Sequence, residues 1–83
     1  KNVKAIIEVK IDVNVNTSEV AANIAKFDGV SEVFEVTGEE DIVAIIDVTS
    51  SPQLNEIIEQ VRRFDNVIST RTRLILKDHY GGD

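Results

Sequence analysis

Phe27-Asp28-Gly29-Val30 returns 37 residues later as Phe64-Asp65-Asn66-Val67. The same offset carries Ala5, Ile7, Val9 and Ile11 onto Ile42, Ala44, Ile46 and Val48, and carries Val20 and Ile24 onto Ile57 and Val61. Chance accounts for one such match. A buried pattern shared by two half-domains accounts for all of them.

Working outward from that frame gives the elements. Ala5, Ile7, Val9, Ile11 and Val13 alternate with mostly polar neighbours, the period of a half-buried strand. Asn16-Thr17-Ser18-Glu19 supplies a helix N-cap at Asn16 with an acid three residues on. Val20, Ile24 and Phe27, with Ala21 and Ala25 beside them, make one apolar helix face. Asp28-Gly29 ends that helix, Val30 to Val36 resumes a strand, and Thr37-Gly38-Glu39-Glu40 turns the chain. In the second half Ile42, Ala44, Ile46 and Val48 alternate, and Ser51-Pro52 caps and opens a helix. Leu54, Ile57, Ile58 and Val61 form its buried face, and the last strand runs from Ile68 to Leu76. The order β-α-β-β-α-β predicts an α+β, ferredoxin-like fold, a four-stranded antiparallel sheet with both helices on one face. Residues 1–76 form the domain and 77–83 a tail.

The totals bound the function. A chain of 83 residues holds one core and is marginally stable without staples or partners. Cysteine is absent, so neither disulfides nor thiolate metal sites supply that help, and self-association remains. The net charge of −6 opposes phosphate backbones and anionic membrane surfaces, and no apolar run approaches the ~18–20 residues of a bilayer span. No signal peptide opens the chain, so the expected location is the cytoplasm. Lys1 stands first in place of Met, which reads as trimming or as a piece of something longer.

The face without helices decides the class of function, because the fold alone does not. Ile6, Glu8, Lys10 and Asp12 on the first strand and Val43, Ile45 and Asp47 on the third make it a mixture of aliphatic and charged groups. Glu8 and Lys10 are expected to pair with the Arg71 and Arg73 side of the last strand. RNA-binding sheets of this topology stack bases on aromatics of the two central strands, and none is present there. An exposed aliphatic patch on a small domain favours a subunit interface over a solvated face.

Catalytic machinery is hard to assemble. The one histidine, His79, lies in the tail beside Tyr80, which deprives any Ser or Thr of a base within a structured segment. No Gly-rich phosphate loop and no His/Cys metal set exists, and the acids Glu39-Glu40-Asp41, with Glu35 nearby, lack the spacing of a calcium loop. The expectation is a protein that is not an enzyme and needs no cofactor.

Three stretches carry a family resemblance: Thr37-Gly38-Glu39-Glu40-Asp41-Ile42-Val43, the Thr-bearing strand Val67-Ile68-Ser69-Thr70-Arg71-Thr72, and Phe27-Asp28-Gly29-Val30. Together they resemble the effector-binding domain of the Lrp/AsnC regulators, called RAM for regulation of amino-acid metabolism, from the first strand to Leu76. The resemblance implies sheets paired face to face in dimers, dimers closing into a ring, commonly an octamer, and amino-acid effectors held between dimers. The DNA-binding helix-turn-helix of full-length members has no counterpart here. The chain is therefore expected to be a stand-alone module, or the ligand-binding half of a regulator, that binds no nucleic acid itself; a full-length Lrp/AsnC regulator is a candidate partner.

The resemblance also marks a site. Asp41 stands where the family places the acid of its Gly-x-x-Asp turn, suited to an ammonium. Backbone N–H groups near Gly38 and the hydroxyls of Thr70 and Thr72 suit a carboxylate. Gly38 permits close approach and positive φ, and Glu39 and Glu40 suit a cationic side chain. Asp41 lies outside the apolar pattern, so Asp41→Ala is expected to spare the fold. The ACT domain, another amino-acid binder of this topology, places a glycine after the first strand, where Asn14-Val15-Asn16 stands. A purely structural assembly domain is the remaining alternative.

Overall fold

The computed structural model describes residues 2–79. Six elements follow in the expected order: β1 (Val3–Ile11), α1 (Thr17–Ala25), β2 (Val30–Glu35), β3 (Ile42–Val48), α2 (Ser51–Arg62) and β4 (Val67–Leu74). The strands form one antiparallel sheet in the order β2-β3-β1-β4. The tail expected from residue 77 is described only as far as His79; residues 80–83 lie outside the described residues.

Alternation does what it promised. Ala5, Ile7, Val9 and Ile11 of β1 and Ile42, Ala44, Ile46 and Val48 of β3 are all buried on one face. Val20, Ala21 and Ile24 of α1 and Leu54, Ile57 and Val61 of α2 close over them as one core. In-register pairing of Ile7 with Ala44 and Ala5 with Ile46 sets large against small across the central strands. Phe27 and Phe64 pack at the core's margin, their rings stacked 5.8 Å apart.

Element ends depart from the sequence reading in six places. Val13 lies outside β1 and is 91% exposed, because Asp12 Oδ1 accepts a hydrogen bond from the Asn14 N–H and turns the chain. The helix of the second half is capped by Ser50, whose hydroxyl accepts from the Gln53 N–H, so Ser51 is already helical. Ala25 is exposed because, in the last turn of α1, it falls to the side of the face that buries Val20, Ala21 and Ile24. β2 stops at Glu35 and β4 at Leu74, each shorter than expected at its C-terminal end. β4 also begins one residue early, at Val67, and a bulge comes next: Lys10 pairs with Ser69 but Ile11 with Val67, so Ile68 has no partner and is 61% exposed.

Candidate functional site

One end of the sheet gathers the end of β1, the start of β4 and the turn between β2 and β3. Gly38 tops that turn with φ of +121°, a conformation glycine adopts without strain. A Cβ placed there would meet nothing within 4 Å. The residue is thus needed for the shape of the turn, and the space above it is open. Glu39 is exposed and Glu40 half-buried beside it.

Asp41 is tied into the sheet on three sides. Its N–H donates to the Val9 carbonyl at 2.9 Å, and its carbonyl accepts from the Val36 N–H at 2.9 Å. Its Oδ2 accepts from the Ile11 N–H at 2.9 Å, so a side chain takes the place of the next ladder carbonyl. The carboxylate that the sequence assigns to a ligand therefore already closes the end of β1. Truncation to alanine leaves a part-buried N–H without its acceptor, so the change is not silent for the fold.

Lys10 is the residue that sequence reasoning missed. Its ammonium donates to the Glu39 carbonyl at 3.1 Å and pins the turn against β1. The two residues lie 29 positions apart, and no local pattern announces their meeting. Glu35, grouped with the acids of the turn from sequence, is drawn toward α1, where its Oε2 accepts from the Ser18 hydroxyl at 2.7 Å. Among the described residues no three His, Cys, Asp or Glu side chains are grouped to hold a metal ion.

Thr70 and Thr72 sit on the far side of β1 from the turn. Thr70 pairs with Val9 and Thr72 with Ile7, which puts both hydroxyls on the sheet face that carries the helices. Thr70 is half-buried and Thr72 exposed. Two strand spacings, about 10 Å, separate Thr70 from Asp41. Within one chain the turn and the two threonines do not line a common pocket, and the described residues enclose no cavity.

The other face carries Lys4, Ile6, Glu8 and Lys10 of β1 between Val43, Ile45 and Asp47 of β3 and Arg71 and Arg73 of β4. Glu8 lies 3.9 Å from a guanidinium nitrogen of each arginine, as the alternation led one to expect for Glu8; Lys10 turns to the Glu39 carbonyl instead. Phe34 of β2, opposite Val43, adds an aromatic at the rim, 48% exposed.

The structure is a two-layer βαββαβ sandwich with a bare sheet face and a glycine turn at one end. The chain belongs to the Lrp/AsnC family, whose ligand binding domain it matches over residues 4–82. Among curated relatives it is 44% identical over 77 residues to the homocitrate synthase of Sulfolobus acidocaldarius, and 40% identical over 77 residues to that of Saccharolobus solfataricus. These matches take in 93% of this chain but only 16% and 17% of the enzymes' lengths. Among solved structures, TTHA0845 of Thermus thermophilus superposes with a TM-score of 0.85 at 24% identity, over 94% of this chain and 98% of that one. AsnC of E. coli does so at 0.81 and 22%, over 92% and 52%. A feast or famine regulatory protein of M. tuberculosis, complexed with L-methionine, gives 0.81 and 25%, over 96% and 54%. The α+β fold read from the sequence is the fold that these solved structures share over the matched span. Among the described residues no helix is long and apolar enough to cross a membrane.

Proposed function

We propose that this chain is a cytoplasmic, non-catalytic module that pairs with copies of itself and binds a free amino acid between them. The observation that carries the reading is the turn over Gly38: open above, held by Lys10 and Asp41, and not closed into a pocket by its own chain. A site of that kind is completed by a second copy. Gly38, Glu39, Glu40 and Asp41 contribute from one chain, with the second Asp41 oxygen and the turn's backbone as polar partners, and Thr70 and Thr72 contribute their hydroxyls from another. The methionine held by the M. tuberculosis relative supports an α-amino acid as the ligand class. Rings of dimers, as the family resemblance implies, supply the second copy.

The test is the mass of the assembly by light scattering, with and without each of the twenty amino acids, alongside the melting temperature. A multiple of dimers whose mass or melting temperature shifts with one amino acid is the expected result. A chain that stays monomeric, unmoved by all twenty, overturns it.

A second reading concerns what the module serves. Identity to the homocitrate synthases is 40–44%, against 25% or less to the regulators described above. That difference favours a module attached to a synthase of that kind, over one attached to, or partnered with, a DNA-binding regulator. Mass spectrometry of the natural polypeptide that contains this chain separates the cases. A catalytic domain on the same polypeptide supports the enzyme reading, a helix-turn-helix supports the regulator, and neither supports a stand-alone module.

A further inference from the structure

Glu8 is out of place on the bare face. It sits on a central strand between Val43 and Arg71, with Ile6 and Ile45 next along the sheet, and its side chain is only 20% exposed. Its Oε1 is buried and accepts no hydrogen bond from the described residues. Arg71 and Arg73 approach its two oxygens at 3.9 Å each, beyond hydrogen-bonding reach, while their own side chains stay about two-thirds open at 66% and 67%. The cluster is a half-satisfied acid beneath two guanidinium groups with free donors.

The charge of the whole face has the same character. Lys4, Lys10, Arg71 and Arg73 are matched there by Glu8, Glu32, Asp47 and Asp78, the last bridged to Lys4 at 3.4 Å. The face is nearly balanced in charge, and most of the net charge of −6 falls on the rest of the chain. Two copies that meet on this face avoid most of their general repulsion, and a two-fold pairing that brings each Glu8 against the other copy's arginines satisfies both.

We propose that the Glu8, Arg71 and Arg73 cluster selects the partner: a second copy of this chain is accepted because its arginines complete Glu8, and a like-folded domain without matching charges is refused. This rests on the self-association proposed above and goes further by naming the residues that decide it. A buried ion cluster adds little to affinity over an apolar isostere, but an unmatched one opposes association strongly. Its role is therefore discrimination.

Charge exchange tests it. Glu8→Arg alone places three cations together, and Arg71→Glu with Arg73→Glu places three acids together. Each variant alone is expected to be monomeric by light scattering at concentrations where the wild type associates, and an equimolar mixture is expected to recover the wild-type mass. Glu8→Gln, which keeps the shape, is expected to weaken self-association on the order of tenfold. Circular dichroism and melting of each variant confirm a folded chain. Variants that keep the wild-type mass overturn the proposal and leave self-association standing. A monomeric wild type overturns both.

Discussion

The rings of Phe27 and Phe64 lie 5.8 Å apart and within 10° of parallel, and each is the image of the other under the 37-residue repeat. Each comes directly after the C-cap of its helix, Lys26 for α1 and Arg63 for α2. The stack joins the two halves through equivalent residues and adds about 0.5–1.5 kcal/mol beyond the area it buries. Both rings are half-buried, so Phe27→Ala or Phe64→Ala is expected to cost roughly 2 kcal/mol, below the ~3–5 of a fully buried ring. Urea denaturation of the two single variants and the double variant measures the coupling; additive losses refute a stack that contributes.

Two glycines with positive φ separate conformational strain from collision. At Gly29, φ is +101° and an added Cβ would come within 2.6 Å of Val48 Cγ1 and 3.1 Å of Ile57 Cδ1. At Gly38, φ is +121° and the space is open. Gly38→Ala is expected to cost about 1–2 kcal/mol from backbone strain alone, and Gly29→Ala distinctly more, because core side chains must also shift. Thermal melts rank the two, and equal losses contradict the packing argument.

Asp41 has a structural duty and a proposed binding duty, and two substitutions part them. Asp41→Asn keeps a carbonyl oxygen for the Ile11 N–H and removes the charge. It is expected to hold stability within about 0.5 kcal/mol while weakening amino-acid binding at least roughly tenfold. Asp41→Ala loses the acceptor and is expected to cost ~1–2 kcal/mol. Calorimetric titration with the amino acid found by the mass screen, beside a denaturation curve, reads both. Unchanged binding by the Asn variant removes Asp41 from the site.

The helix cap provides a local check. Ser50→Ala removes the acceptor for the Gln53 N–H and is expected to cost ~1 kcal/mol, whereas Ser51→Ala is expected to be nearly neutral. Denaturation midpoints compare them, and the reverse order would place the cap one residue later.

The fold was legible because its core is written in period two and period 3.6, and written twice. What escaped depends on geometry at element ends. Ser50 and Ser51 both precede Pro52, and proline is at home at either of the first two helical positions, so the residues alone do not choose the cap. Gly29 and Asn66 are equivalent by the repeat, yet only Gly29 takes positive φ. The bulge that frees Ile68 has no residue signature at all. For the candidate site, the resemblance marked Gly38 and Asp41, but the bond from Ile11 to Asp41 spans 30 residues and belongs to strand register rather than to any motif. Register also decides that Thr70 and Thr72 share the face of Val9 and Ile7, away from the turn.

The sheet order has a consequence for how the chain comes into being. β1 and β2 belong to the first half, yet β3 lies between them, and β1 in turn lies between β3 and β4. A nascent chain that has left the ribosome only as far as Glu35 owns two strands that are not neighbours in the finished sheet, so no ladder can begin. The first lasting pair waits for Ile42–Val48, and closure of the second edge waits for Val67–Leu74. Two halves that look like duplicates cannot mature one after the other. They interlock like clasped fingers, and the sheet is complete only once β4 has emerged.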